Sequence, residues 1–455
     1  MPLKPADCGA GAPGREAIEQ NFADLTPMLG AVQAGVEADR CLYCWDAPCV
    51  RACPTGIEIP EFIRQIRTGN AEGSARTILK ANILGGTCAR ACPTEVLCEA
   101  ACVLHLRGEE PVKIGALQRH AVEPLIDALA RSGGPHPFRR AASTGKRLAV
   151  IGSGPAGLAF AHRAALLGHE VVIYEARPKP GGLNEYGLAA YKMAGDFARR
   201  EVEFVLGVGG IEIRHGAALG RNLGLDELKA VYDAIFIGVG LGGSRRLGVP
   251  GETLDGVFDA LDFIEAVRQA PDKSRLPVGR EVVVIGGGNT AIDAAVQARR
   301  LGSESVTLVY RRGEAQMGAT AWERDLARLN GVTLRLWAAP VAIEGEGSVR
   351  QAVFETSRLI DGQLAPGGET FALPADMVLK AIGQTLVPIG MEGLVFDGGK
   401  LVVDADFRTA MAGVFAGGDC IGSGQDLTVQ AVEDGKRAAH AADRFVMGGP
   451  EPWPT

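Results

Sequence analysis

Hydrophobic positions recur along the chain with two different periods, and the change of period marks its organisation. From Arg15 to Asp39, Ile18, Phe22, Leu25, Leu29, Val32 and Val36 return at intervals of three and four, the spacing of a helix with one buried stripe. This predicts helix packed beside the cysteine-rich residues that follow, with Pro27 placed to break it in two. EFIRQIRTGNAEGSARTILKANILGG predicts two short helices parted near Gly69 and Asn70, and VKIGALQRHAVEPLIDALARS a further helix that carries Gln118. Residues 1–14, rich in Gly, Pro and Ala, are expected to fray. Residues 1–140 therefore read as a small helical domain, with a Gly, Pro and Ser-rich linker over 132–146.

After the linker the pattern changes. KRLAVIGSGPAGLAFAHRAALLGHEVVIYEA predicts a buried strand, a turn with Gly152, Gly154 and Gly157 spaced GxGxxG, a helix, and a second strand ending at Glu175. The glycines allow a tight turn and a close approach of pyrophosphate to the helix N-terminus, and Glu175 can accept hydrogen bonds from an adenosine ribose. The unit recurs 134 residues later in REVVVIGGGNTAIDAAVQARRLGSESVTLVYRR, with Gly286, Gly288 and Ala291 at the turn. There the second strand ends in Tyr310, Arg311 and Arg312, with no carboxylate for a 2′-hydroxyl; the arginines suit a 2′-phosphate and lean the reading to NADPH. An arginine pair at a strand end is otherwise a solvated feature. Near the C-terminus GVFAGGDCIGSGQDLTVQAVEDGKRAAHAADRF predicts a strand, a turn at Asp419, and a helix whose start near Thr428 can face a flavin.

Two dinucleotide units and this C-terminal segment describe a two-dinucleotide flavoprotein. The FAD domain is discontinuous, over 141–276 and 386–455, with an NAD(P) domain over 277–385 inserted. The fold class is thus α/β, preceded by an α-helical domain that holds the cysteine-rich residues. Leu148 to Leu167 is the most apolar stretch, but three glycines, His162 and Arg163 interrupt it, so it reads as strand, loop and helix and no membrane span is expected. With 54 Asp plus Glu against 47 Lys plus Arg, the mildly acidic balance gives no nucleic-acid footprint.

The chemistry concentrates in residues 41–102, where eight of the ten cysteines lie in CLYCWDAPCVRACP and CARACPTEVLCEAAC. Thiolates this dense suit soft metals. The competing uses are a disulfide framework, disfavoured by the absence of a signal peptide and the reducing cytosol this implies, and structural zinc, disfavoured by the prolines after Cys53 and Cys92. In two-cluster ferredoxins the fourth cysteine of a run serves the other cluster, so Cys53 is expected to join the second group. Eight thiols, Cys88 included, match eight iron positions of two [4Fe-4S] clusters. Neither GGLNEYG nor GGGNTAID holds the cysteine pair of a disulfide reductase; Cys420 and Cys8 stand alone, Cys420 as a packing thiol. His162 is expected to cover its helix, and no acid, base or nucleophile for catalysis is evident.

The cysteine domain, the FAD unit, GGLNEYGLAAYKM, LGVPGE, GGGNTA, YRR and GGD, in this order, resemble the NAD(P)H-oxidising half of bacterial dihydropyrimidine dehydrogenase over nearly the whole chain. The small subunit of glutamate synthase shares the plan; CARACPTEVLCEAAC followed by IGALQRHA looks more like the pyrimidine enzyme, in which a glutamine at the place of Gln118 ligates a cluster. The resemblance implies Cys41, Cys44, Cys49 and Cys102 on one cluster and Cys53, Cys92, Cys98 and Gln118 on the other, which leaves Cys88 without iron and conflicts with the eight-thiol count. It also places Lys192 near the flavin, although Ala189 departs from the usual proline there.

Candidate flavin contacts are then Gly152, Gly154, Gly157, Glu175, Gly182, Leu183, Lys192, Asp419, Thr428 and Val429. Those for NAD(P) are Gly286, Gly288, Asn289, Thr290, Arg311, Arg312 and Gly383. Bacterial two-subunit relatives are often NADH-dependent, so the expectation covers NAD(P)H. The resemblance further implies a cytoplasmic electron-input subunit and a partner subunit with FMN and Fe-S centres that reduces uracil or thymine, since no third flavin site or (β/α)8 series remains in 455 residues. A partner-free flavin sensor and a zinc-stabilised nucleotide-binding module are the readings from other classes.

Overall fold

A computed structural model describes residues 13–422 and 424–448; Cys8 and most of the N-terminal segment expected to fray lie outside the described residues. Contacts divide the chain into two compact units.

One unit comprises Thr26–Glu185, Gly195–Gly243 and Thr385–Thr455. Its sheet has five parallel strands in the order Val414–Ala416, Ala234–Ile237, Arg147–Ile151, Glu170–Glu175, Ile211–His215. The central strands are near-continuous apolar runs because helices cover parallel sheets on both faces. Leu148, Ala149, Val150 and Ile173 are all fully buried. The helices Pro155–Leu166 and Thr428–Met447 approach so closely that a Cβ on Gly435 would lie 2.1 Å from the Ala156 carbonyl oxygen. His162 is buried on the first of these, edge-on to Phe138 at 5.9 Å, rather than covering an exposed face.

The helical part of this unit contains Ala31–Ala38, Pro48–Ala52, Ile59–Arg67, Ala71–Ala81, Gly85–Ala91, Val103–Leu106 and Ile114–Ser132. The break near Gly69 and Asn70 is there for local reasons. Gly69 takes φ +76°, and Asn70 Oδ1 accepts the Gly73 N–H at 2.9 Å as an N-cap. The stretch expected to be helical over 15–39 breaks in two on either side of Pro27, as expected, but only its second half belongs to this unit. Its first helix, Arg15–Asn21, belongs to the other unit, where Ile18 and Phe22 join the core. In Ala31–Ala38 the buried side chains are Ala34 and Ala38, while Val32 and Val36 are exposed. Small residues face inward where this helix meets Ile59–Arg67, so the valine spacing marks the outer face.

The second unit comprises Met1–Leu25, Tyr186–Ala194 and Ser244–Gln384. Five parallel strands run in the order Val257–Asp259, Met377–Ala381, Glu281–Gly286, Ser305–Tyr310, Thr333–Leu336. A separate antiparallel sheet joins Ala338–Glu344, Gln351–Ile360 and Gln363–Pro374. The unit takes in more than the expected 277–385. Val257–Asp259 pairs with Met377–Ala381, and Ala260–Gln269 buries Phe263, Ile264 and Val267 in the same core. Among the described residues no helix is long and apolar enough to cross a membrane.

Candidate cofactor sites

The first glycine turn is built by steric necessity. Gly152 has φ +96°, and a Cβ on Gly157 would stand 2.0 Å from the Gly152 carbonyl oxygen. Gly154 caps Pro155–Leu166 with Pro155 at its first position, leaving the helix N-terminus open for pyrophosphate. At the end of the second strand, buried Glu175 accepts the Ser153 N–H at 2.9 Å, the Ser153 hydroxyl, and the Arg177 N–H at 2.8 Å. The carboxylate is thereby oriented: Oε2 takes both Ser153 donors, while Oε1, which accepts only the Arg177 N–H, keeps a lone pair for a ribose hydroxyl.

Three remote segments converge on this turn. A Cβ on Gly182 would fall 2.7 Å from Gly154 Cα, which brings Gly182 and Leu183 to it. The Thr428 hydroxyl donates to Asn184 Oδ1 at 3.2 Å, fixing the start of the C-terminal helix, where Val429 is buried. Gly418, beside Asp419, donates its N–H to Asp434 at 3.0 Å and faces Ala156. Burial, with repulsion from Asp426, raises Asp419 to a pKa of about 6. Cys420 is fully buried beside it, within 3.3 Å of the Gly417 carbonyl oxygen, and burial pushes its thiol up to about 12, which makes it a packing residue.

The thiols fall into two groups. Cys41, Cys44, Cys49 and Cys102 line one cavity with apolar neighbours that include Leu42, Ile59 and Leu104. Burial and the nearby thiols of Cys41 and Cys102 push Cys49 up to about 12. Cys92 is raised by its hydrogen bond with the free Cys88 thiol, by burial, and by Cys98 and Cys53; Cys98 is raised by burial, then by Glu99, Cys53 and Cys49. Cys53 thus sits with the second group and Cys102 with the first. Burial and neighbouring thiols dominate the shifts of Cys41, Cys49, Cys92 and Cys98, so ionising these thiols together calls for a positively charged centre, and iron fits that need. Among the described residues no three His, Cys, Asp or Glu side chains are arranged to hold one metal ion. A four-iron cluster takes one thiolate at each iron, so its ligands stand apart. Gln118, buried on Ile114–Ser132, donates from Nε2 to the Gly85 carbonyl at 2.6 Å, beside the helix that carries Cys88 and Cys92.

The second glycine turn opens on a cavity of about 590 Å³. Gly286, Gly288, Thr290, Arg311 and Gly383 line it; Asn289 and Arg312 are not among its lining residues. Asn289 accepts the Thr320 N–H at 3.3 Å. Close approach is again enforced, since a Cβ on Gly286 would meet the Ala381 carbonyl oxygen at 2.3 Å. Arg245 and Arg246, which are not among the residues expected from the sequence, also line the cavity. Their signal was the arginine pair directly before LGVPGE.

Lys192, which the resemblance sets near the flavin, lies in the second unit on Tyr186–Ala194. It is buried, 2.7 Å from Asp293 and in contact with Glu323, and the Tyr191 hydroxyl donates to the same Asp293 at 3.0 Å. Burial alone would lower its pKa, but the two carboxylates outweigh it and hold the ammonium above its usual value.

Residues 146–435 match the pyridine nucleotide-disulphide oxidoreductase family, which brings FAD and a nicotinamide dinucleotide with it. Residues 18–128 match dihydropyrimidine dehydrogenase domain II, a 4Fe-4S cluster domain. The chain is 33% identical to the NAD-dependent dihydropyrimidine dehydrogenase subunit PreT of Salmonella typhimurium, across 94% of this chain and 98% of that one. It is also 33% identical to the NADPH glutamate synthase small chain of Escherichia coli, across 92% of each. In fold it is similar to Mycobacterium tuberculosis FprA in complex with NADPH (TM-score 0.57, 23% identity, 67% of this chain and 85% of that one). Lactococcus lactis thioredoxin reductase is similar too (TM-score 0.54, 24% identity, 67% of this chain and 99% of that one). The chain therefore belongs to the pyridine nucleotide-disulphide oxidoreductases, in the group with an N-terminal 4Fe-4S domain that includes dihydropyrimidine dehydrogenase subunit PreT and the glutamate synthase small chain.

Proposed function

We propose that the chain is the electron-input subunit of a dihydropyrimidine dehydrogenase. In this reading it takes hydride from NAD(P)H and passes single electrons through two 4Fe-4S clusters to a partner subunit with FMN and Fe-S centres, where uracil or thymine is reduced. The observation that carries the reading is the pair of hydrogen bonds that Gly86 and Thr87, at the start of the helix that bears Cys88 and is capped by Cys92, donate to Glu201 on the flavin-domain helix Phe197–Leu206. One thiol group is thereby held on the flavin domain itself.

When bound, FAD takes a hydride's two electrons and a 4Fe-4S cluster carries one at a time. The chain's residues supply positioning. Gly152, Gly154 and Gly157 admit the pyrophosphate and Glu175 orients the ribose. Cys41, Cys44, Cys49 and Cys102 are assigned to one cluster, and Cys53, Cys92, Cys98 and Gln118 to the other. Leu42 lines the cavity of the first thiol group, and Trp45, next to Cys44 in sequence, is fully exposed, which gives a surface where a partner would dock. The crowded thiols favour the reducing cytoplasm.

The test is turnover by the purified chain. It is expected to oxidise NAD(P)H with ferricyanide but not to turn over uracil, thymine or their dihydro forms, and to gain pyrimidine turnover with its FMN-containing partner. Pyrimidine reduction by the single chain would overturn the division of labour. Equal identity to the glutamate synthase small chain supports a second reading, and glutamine-dependent glutamate formation with a large partner would select it.

A further inference from the structure

The cations lining the dinucleotide cavity come from opposite sides of the glycine turn. The turn follows Glu281–Gly286, whose sheet neighbours are Ser305–Tyr310 on one side and Met377–Ala381 on the other. Arg311 follows the first neighbour. Arg245 lies beside the second, where its N–H donates to the Gly383 carbonyl at 3.1 Å. A Cβ on Gly383 would be 3.7 Å from both Cδ and Nε of Arg245, so the side chain runs across that glycine.

A dinucleotide with its pyrophosphate at the turn sends its adenosine ribose to the end of the second strand of the βαβ unit, the place of Arg311. The nicotinamide half is left to the Gly383 side. Among the described residues the Arg245 and Arg246 side chains are exposed and make no hydrogen bond or ion pair. Lys380 lines the same wall but is already neutralised by Glu252 at 3.1 Å and Asp259 at 3.3 Å. Among the described residues that line this wall, the arginine pair is therefore the source of uncompensated positive charge facing the nicotinamide half.

We propose that Arg245, with Arg246 beside it, grips the phosphate on the nicotinamide side of the dinucleotide and does so equally for NADH and NADPH, whereas Arg311 reads the 2′-phosphate. This rests on the cavity being the nicotinamide nucleotide site. It divides labour between arginines that charge alone would not distinguish, because the sheet sets them on opposite sides of the pyrophosphate.

The test is equilibrium binding to the full chain with its flavin and clusters in place, followed by calorimetry with NAD⁺, NADP⁺ and the fragment adenosine 2′,5′-bisphosphate. Arg245→Ala is expected to weaken NAD⁺ and NADP⁺ by the same factor, roughly 10- to 100-fold for a lost charge-assisted contact, and to leave the fragment unchanged. Arg311→Ala is expected to weaken NADP⁺ and the fragment and to spare NAD⁺. Arg245→Lys, which keeps the charge but loses the planar fork, should recover part of the loss. Flavin absorbance and thermal unfolding establish that each variant is folded. Unchanged binding of both dinucleotides to Arg245→Ala, or loss of the fragment with them, would overturn the assignment. Failure of the unaltered chain to bind either dinucleotide would instead remove the reading of the cavity, and the assignment with it.

Discussion

Glu201 accepts a hydrogen bond from the backbone N–H of Gly86 at 2.8 Å, joining residues 115 apart in sequence through one fully buried carboxyl group. It also accepts the Thr87 N–H at 3.0 Å and the Thr87 hydroxyl. Burial nonetheless dominates, and it raises the carboxyl from 4.5 to about 7. The folded state then holds a proton that the unfolded chain releases, so this group's contribution to stability is largest below about pH 4.5 and is lost as pH rises through about 7. Glu201→Gln keeps an acceptor for both N–H groups, and its amide can donate to the Thr87 hydroxyl. The variant should gain in melting temperature relative to the unaltered chain as pH is raised from about 5 to 8. Thermal unfolding across that range checks it, and a constant difference would show that Glu201 is not protonated at the lower end.

The second thiol group holds one potential ligand too many. With Gln118 completing the cluster, Cys88→Ala should retain both clusters, and Gln118→Ala or Cys98→Ala should disturb one. Iron content and electron paramagnetic resonance of the three variants decide it. Loss of a cluster in Cys88→Ala alone would restore the eight-thiol assignment.

Lys192→Met leaves Asp293 and Glu323 facing each other without their shared cation. Removing one member of a buried ion-pair set costs about 3–5 kcal/mol, because the remaining charge is buried uncompensated. Denaturant unfolding should show a loss of that order, and Lys192→Met combined with Asp293→Asn should recover part of it. A loss below about 1 kcal/mol, the range of exposed pairs, would mean that water reaches the cluster.

Trp45 is fully exposed between Cys44 and Cys49, an unusual setting for a large aromatic side chain that buried contacts would favour. Trp45→Ala should reduce pyrimidine turnover in the two-subunit mixture by weakening association, while reduction of the flavin by NAD(P)H in stopped-flow measurements stays unchanged. Undiminished affinity for the partner would place docking elsewhere.

Both glycine turns, the strands flanking them and the break at Asn70 were determined by the sequence alone. Each depends on contacts within a few residues or on a backbone shape that only glycine tolerates, so period and turn chemistry reveal them. Tertiary structure alone decided the rest. Ile18 and Phe22 carry a helical stripe that fits any apolar neighbour, and only the fold assigned them to the core with Phe263 and Ile292. Val32 and Val36 kept the right period on the outer face because Ala34 and Ala38 make the close helix contact. Arg245 reached Gly383, and Lys192 reached Asp293, across more than a hundred residues each. Such pairings depend on where the sheets bring distant segments together, and no local pattern encodes that.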